Sequence, residues 1–325
     1  MALSAGMLDD RTSGAARRSA QRVVVQDRLF YLLTLGSAAL VVVLLLGVLV
    51  SLLIGAWPAL STFGPAFVWT QRWSPVKEIF GALAPIYGTL VTSLIAMIIG
   101  IPVSFGIAIF LTEICPQRLR RPIGTAIELL AGIPSIIYGL WGFFFLAPFL
   151  QSTVQPALIG SLGQLPLIGV LFGGAPYGIG LLTAGIILAI MVLPFITSIT
   201  RDVFLTVPTL LRESAYGMGM TTWEVCWSII IPYTRVGLVG GVMLGLGRAL
   251  GETMAVTFVI GNSHNISPSL LAPATTISAA IANEFNEATG ALYTSSLIAL
   301  GLILFVITFA VLALAKWLLV RAEVK

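Results

Sequence analysis

Long apolar runs separated by short polar stretches dominate the chain. Six of these runs are longer than the about 20 residues that a helix needs to cross a bilayer. They predict six membrane-spanning helices, at Phe30–Trp57, Ile86–Thr112, Ile123–Leu150, Tyr177–Ile199, Val236–Ile260 and Ala291–Leu319. The stretch Gln151–Pro176 is also apolar, but prolines and glycines interrupt it. We expect a re-entrant or surface-lying hairpin there and no seventh span.

The composition excludes a soluble protein. Of the 325 residues, 58% are apolar and 9% are charged, against about 45–50% and about 25% in soluble domains. Intrinsic disorder has the opposite signature, low hydrophobicity with high charge. The first apolar run is too long for a signal-peptide core and no A-x-A cleavage site follows it, so it is expected to remain as a helix. The predicted fold class is an all-α polytopic membrane protein.

Basic residues predict the orientation of the spans. Fourteen of the 17 lysines and arginines fall in the tail before the first span, in the second and fourth connections, and at or after the C-terminal end of the last span. Only Arg72 and Lys77 lie in the opposite connections, and Arg248 lies within a span. Because basic loops stay cytoplasmic, we expect both termini on the cytoplasmic side of the plasma membrane. The arginines of the N-terminal tail are expected to contact anionic lipid.

The fourth connection predicts a helix, a glycine turn and a second helix on the cytoplasmic face. Pro208 suits the start of the first helix, and Gly219 suits a left-handed turn after it. Thr221 and Glu224 have the spacing of a capping box, and we expect the second helix to stop at Pro232. An amphipathic segment lying on lipid fits the same pattern. A DNA-reading element is excluded, because the second helix has no lysine or arginine to meet phosphate.

Arg248 and Glu252 are charged residues predicted to lie inside the fifth span, near the bilayer midplane. A charge there costs about 2.5–3.5 kcal/mol and usually marks a functional site. Their four-residue spacing places them on one helix face. Either they form a structural ion pair, or the guanidinium binds a tetrahedral oxyanion and Glu252 neutralises it between substrates. We also assign Glu128, in the third predicted span, and Thr253 to the pathway along which such an anion would pass.

Catalytic and metal chemistry have little support in the sequence. The chain has one histidine, His264, which lies in an outward loop, and two cysteines, Cys115 and Cys226, that form no CxxC pair. A Walker A sequence is absent from it. We therefore predict no metal, no cofactor and no enzymatic activity. Any ATP and magnesium would be used by a partner.

Three motifs resemble one family of transporters. Gly247 to Ala255 is similar to the GRAxGETMA stretch, and Glu128 to Gly139 to the ELLAGIPSIxYG segment, of the C-type permease subunit of phosphate-specific ABC importers. Between these two segments lies a stretch whose residue spacing resembles the EAA loop of ABC-importer permeases. Its motif positions are Glu213, Ser214, Ala215, Gly219, Ile229, Ile231 and Pro232. Ser214 and Ile231 are mild departures from the Ala and Leu of the motif.

This resemblance implies an importer with several subunits. The EAA loop would dock on an ATPase, and Arg248 and Glu252 would serve phosphate passage. A homologous sister permease, two ATPase subunits and a soluble phosphate-binding protein would be the partners. The implied layout is a basic tail (1–29), a first transmembrane helix (30–57), an outward loop (58–85), a MetI-like permease core (86–319) with its coupling loop (200–235), and a short C-terminus (320–325).

Two other functions remain open at this point. A permease for another oxyanion or a small solute would keep the EAA loop. A secondary transporter or channel would use Arg248 and Glu252 as a proton- or ion-linked pair and would need no ATPase.

Overall fold

The computed structural model of the protein describes the backbone of residues 3–166 and 168–323 and most of their side chains. The side chains of residues 1–25 lie outside the described part, and so does the expected lipid contact of the basic tail. Within the described residues the chain is helical and has no strand, apart from one isolated bridge between Ser74 and Ile79. The prediction of an all-α fold is confirmed.

Ten helices organise the described residues, beside a few turns of helix in the connections. In chain order they are α1 (Leu3–Phe63), α2 (Leu83–Ile114), α3 (Gln117–Leu130), α4 (Ser135–Gln164), α5 (Leu181–Leu205), α6 (Thr209–Gly217), α7 (Thr222–Gly251), α8 (Met254–Val259), α9 (Ile277–Glu284) and α10 (Ala291–Glu323). Six of these, α1, α2, α4, α5, α7 and α10, contain segments long and apolar enough to cross a membrane. The predicted number of spans is confirmed.

The third span lies further along the chain than predicted. The expected helix Ile123–Leu150 is divided, because α3 ends at Leu130 and α4 begins only at Ser135, after Pro134. A residue before proline is disfavoured in the α conformation, so the chain breaks there. The apolar stretch after Gln151 is also not a hairpin from its start, because α4 continues through it to Gln164 by way of π turns. Sequence periodicity does not detect such register shifts.

The helix of the fifth span is also displaced. We expected Val236–Ile260 in the membrane and a separate helix stopping at Pro232, but α7 runs from Thr222 through that proline to Gly251. A five-residue π turn, Cys226–Ile230, directly precedes Pro232. The π turn shifts the hydrogen-bond register, so the missing proline N–H does not end the helix.

The compact core is formed by α2, α4, α5, α7 and the short helices α8 and α9, within the unit Gly55–Lys325. Buried Ile187, Val192 and Ile196 of α5 lie at its centre. Gly245 of α7 faces them so closely that an added Cβ would lie 2.7 Å from Ile196. Small residues of this kind let membrane helices approach each other, because packing rather than hydrophobicity holds helices together in lipid. The close contact fixes which face of α7 points inward.

The first unit ends at Ile54, and its described residues all belong to the N-terminal part of α1. From Leu29 to Ile54 most of its large apolar side chains are exposed, as expected for a helix surrounded by lipid or by another chain.

Candidate substrate pathway and coupling surface

Arg248 lies on the outer surface of the core, at the depth of the middle of α5. Its guanidinium carbon sits 4.5 Å from the centre of the Phe195 ring, and Phe195 lies near the middle of the 25-residue helix α5. The inward face of α7 is taken by Gly241 and Gly245, which pack on α5. Arg248 therefore projects sideways from α7, held against an aromatic face by a cation–π contact.

A groove of about 950 Å³ runs beside Arg248 between α7 and α10. Arg248 lies within its lining, and Lys316 contributes a second basic side chain. The rest of the groove is mainly small or apolar, including Gly240, Leu244, Gly247, Thr308, Phe309 and Leu312. A permanent positive charge on such a surface, at membrane depth, is costly unless a water-filled path or another polypeptide covers it.

Glu252 does not share a helix face with Arg248, and this expectation was wrong. The helix α7 ends at Gly251, and Glu252 has an extended backbone with φ −69° and ψ 133°. Its Oε1 accepts a hydrogen bond from the Ala255 backbone N–H at 3.4 Å, as a side chain does at the start of a helix. An Arg248–Glu252 bridge is not among the ion pairs of the described residues. The break re-aims the carboxylate in a way that helical periodicity does not predict.

Thr253 belongs to the same break. Its hydroxyl donates to the Gly251 carbonyl at 3.4 Å, and its own carbonyl accepts from the Thr257 hydroxyl at 2.8 Å. Glu252 and Thr253 thus form a non-helical link at membrane depth between α7 and α8. Such irregular backbone is tolerated in membranes only where protein buries it or where it lines a cavity.

Glu128 has a different environment from the other predicted pathway residues. It lies near the end of α3 and pairs with Arg201 at 2.7 Å, with about half of its side chain exposed. Arg201 also pairs with Asp202 at 2.9 Å, close to the end of α5. Since α3 precedes the third span, Glu128 lies at the coupling-loop end of the bundle, and the described contacts do not join it to Arg248.

The coupling loop has the geometry that its sequence predicts. The helix α6 ends in a Schellman motif: the Met220 N–H bonds the Ala215 carbonyl at 3.2 Å and the Gly219 N–H bonds the Tyr216 carbonyl at 2.9 Å. Gly219 has φ +87°, a conformation that side-chain-bearing residues adopt at a cost. The helix–turn–helix prediction is confirmed up to the start of α7.

A capping box begins α7. The Thr221 backbone N–H donates to Glu224 Oε2 at 2.7 Å, and the Glu224 backbone N–H donates to the Thr221 hydroxyl at 3.4 Å. Two backbone donors are thereby satisfied at a helix start that faces solvent.

The EAA positions divide into a buried and an exposed set. Ala215 is completely buried against Phe204 and Val225, which explains why a small residue is needed there. Glu213, Ser214, Gly219 and Pro232 are exposed, and Ile229 and Ile231 are half-buried. The first set fixes the loop to the bundle, and the second leaves a surface on which another protein can dock.

Sequence analysis missed a polar contact beneath this surface. Arg212 Nη1 lies 2.6 Å from Glu113 Oε1, and the two side chains are 15% and 5% exposed. From the sequence, Arg212 served only to predict orientation, and Glu113 was interpreted as a charge at the membrane interface. The sequence offered one signal for this contact: two opposite charges, each expected beside the membrane, but separated by almost one hundred residues along the chain.

His264 is part of a half-buried cluster at the opposite end of the bundle. Its ring stacks on Trp73 with centroids 5.0 Å apart, and its Nε2 lies 2.7 Å from Glu284 Oε1. Trp73 Nε1 and the Tyr293 hydroxyl donate to the other carboxylate oxygen at 2.7 and 2.6 Å. Burial alone would raise the pKa of Glu284, but these donors and His264 hold it below its ordinary value. The cluster joins the connection between α1 and α2 to the connection between α8 and α9, to the end of α9 and to α10.

The chain is similar in sequence to known membrane components of transport systems. A family model described as binding-protein-dependent transport system inner membrane component matches residues 100–323. A phosphate transport system permease protein PstC of Mesorhizobium japonicum is 66% identical over 305 residues, covering 94% of this chain and 93% of that protein. A PstC of Pasteurella multocida is 56% identical over 98% of this chain and 99% of its own length. A probable phosphate transport system permease protein PstC of Methanocaldococcus jannaschii is 38% identical over 87% of this chain and 90% of that protein.

Two solved structures share the fold. A bacterial alginate ABC transporter has a TM-score of 0.60 at 18% identity, covering 90% of this chain and 94% of the other. The inward-facing methionine transporter MetNI has a TM-score of 0.54 at 17% identity, covering 77% and 97%. At these identities the likeness concerns the fold alone, and it confirms the predicted MetI-like architecture.

Proposed function

The chain belongs to the family of binding-protein-dependent transport system inner membrane components, and we propose that it is a permease subunit of an ATP-driven importer of inorganic phosphate. The phosphate assignment rests on the similarity to PstC proteins over almost the whole chain. The observation in this chain that supports it best is Arg248, an always-charged group carried at membrane depth on an open groove.

Arg248 would bind phosphate during passage. A guanidinium presents paired N–H donors in a plane, which match two oxygens of a tetrahedral anion. The Phe195 ring beneath it restricts its movement without offering a competing carboxylate. Glu252 and Thr253, at the adjacent helix break, are the nearest pathway candidates along the chain. Glu128 would act only at the coupling-loop end, through its pair with Arg201.

Energy would enter through the coupling loop. The exposed Glu213, Ser214 and Gly219, with Ile229, Ile231 and Pro232 at its rim, would seat in an ATPase subunit. Nucleotide-driven closure of two such subunits would move α6 and, with it, the spans. The chain itself would be non-catalytic and hold no cofactor, and ATP and magnesium would be used by the ATPase.

The groove beside Arg248 would face a homologous sister permease, because a lone chain would expose this cation to lipid. A soluble phosphate-binding protein would deliver substrate at the end that carries Glu284. The family and its six spans make the protein a multi-pass inner-membrane protein, and we propose that both termini are cytoplasmic.

Uptake of labelled phosphate tests this function. Cells without their own high-affinity system would express the chain together with its partners, and sulfate would serve as competitor. We expect uptake that ignores sulfate and is lost in Arg248→Gln and in Gly219→Trp. Arg235→Gln and Gly217→Ala are the matched controls, since Arg235 is exposed and an added Cβ at Gly217 meets nothing within 4 Å.

Each outcome decides a separate element of the proposal. Uptake lost in Gly219→Trp but kept in Arg248→Gln would leave a coupled permease with a different substrate site. Uptake that survives Gly219→Trp would favour transport independent of an ATPase. A fully assembled system that moves no phosphate would refute the phosphate assignment.

A further inference from the structure

A single arginine fastens the coupling helix to two membrane spans. Arg212, on α6, directs Nη1 to Glu113 at the end of α2, at 2.6 Å. Its Nη2 donates to the backbone carbonyl of Phe204, in the last turn of α5. The Tyr216 hydroxyl, one turn further along α6, lies 3.4 Å from the second oxygen of Glu113. Three elements therefore meet at one guanidinium.

The π turn, the Tyr216 hydroxyl and the apolar cluster around the Arg212–Glu113 ion pair restrict its movement. Glu113 lies within the π turn Phe110–Ile114 that closes α2, and such turns re-aim side chains at functional positions. Burial raises the pKa of the Tyr216 hydroxyl, with a smaller contribution from Glu113, so the hydroxyl stays protonated and can donate. Beside the ion pair, Ala215 packs on Phe204 in a fully buried apolar cluster.

The helix α6 depends on this attachment. It has nine residues, and isolated helices shorter than about 12–15 residues are marginal in water. Its remaining anchor is the apolar cluster, which resists separation but has no directional bond. The ion pair and the carbonyl bond are directional, so a displacement of α6 must be passed to the ends of both α2 and α5.

We propose that Arg212 and Glu113 are positioning residues for energy coupling, which transmit the movement of the docked loop to the second and fourth spans. In this proposal both residues act through the helices that they join, and neither binds substrate or nucleotide. The inference rests on the proposed ATP-driven transport. It identifies the contacts inside the protein through which the coupling surface acts on the substrate pathway.

The amount of phosphate transported per ATP hydrolysed directly measures energy coupling through the Arg212–Glu113 pair. The complete importer would be reconstituted in proteoliposomes with its binding protein, as wild type, Arg212→Gln, Glu113→Gln and the double variant. Arg235→Gln is the control for loss of a cytoplasmic arginine. We expect all variants to retain the ATPase subunits on purification. The phosphate moved per ATP should fall by roughly 2- to 30-fold in the three variants of this pair, the range for removal of a coupling contact, and stay unchanged in Arg235→Gln.

The double variant tests whether Arg212 and Glu113 act as a pair or whether each change merely destabilises the protein. Because each single change leaves one buried charge without its partner, the double variant should be no worse than the more severe single one. An unchanged ratio in Arg212→Gln and Glu113→Gln would overturn the proposal. Loss of the ATPase subunits from these variants would overturn it too, since the pair would then serve docking. If the wild type itself moves no phosphate, the proposed function fails first, and the ratio has no meaning.

Discussion

At the scale of single residues, the geometry of Arg248 matters as much as its charge. A lysine at the same position would keep the charge but offer a point donor in place of a planar fork. For Arg248→Lys we expect normal assembly and a roughly tenfold weaker apparent affinity for phosphate, about 1.4 kcal/mol, the order of one charge-assisted hydrogen bond. Initial uptake rates over a range of phosphate concentrations would measure it. An unchanged affinity would mean that the substrate does not use the fork.

Glu284 gives the outer cluster a predictable dependence on pH. Its folded-state pKa is below the ordinary value of 4.5, so its contribution to stability is present above about pH 4.5 and is lost as the pH falls through the lowered pKa. We expect Glu284→Gln to lower the melting temperature at neutral pH, because three donors lose a charged acceptor. The melting temperatures of the two proteins should converge as the pH falls from 7 through the lowered pKa of Glu284. A constant difference across this range would contradict the assignment.

At the scale of elements, the capping box decides where α7 begins. Removing the side-chain acceptor with Thr221→Ala should cost about 1 kcal/mol locally. Amide hydrogen exchange in the first turn of α7 should then accelerate roughly fivefold, while exchange in the rest of α7 and in the other spans stays the same. Ser228→Ala is the matched change at an exposed position of the same helix and should have no such effect. Equal exchange in both variants would show that packing alone holds this helix start.

At the scale of the whole molecule, the uncovered cation predicts dependence on a partner chain. Arg248 at membrane depth costs about 2.5–3.5 kcal/mol when lipid surrounds it. Expressed without other subunits, Arg248→Leu should therefore accumulate to a higher level than the wild type in pulse-chase measurements. Arg235→Leu should not, because that side chain lies at the coupling end of α7 near water. With the sister permease present, the advantage of Arg248→Leu should disappear. An advantage that persists would mean that no partner covers the groove.

The amino-acid sequence is sufficient to predict the membrane class, the number of spans and the coupling loop. These depend on local physics: a long apolar run must satisfy its backbone within itself, Gly219 tolerates a positive φ, and Thr221 and Glu224 lie within one turn of each other. Tertiary structure alone decided where helices break and which charges meet. The π turn before Pro232 let α7 continue, the break at Gly251 separated Glu252 from Arg248, and the fold brought Arg212 to Glu113 across almost one hundred residues. Such pairings depend on packing between distant segments, which no local pattern records.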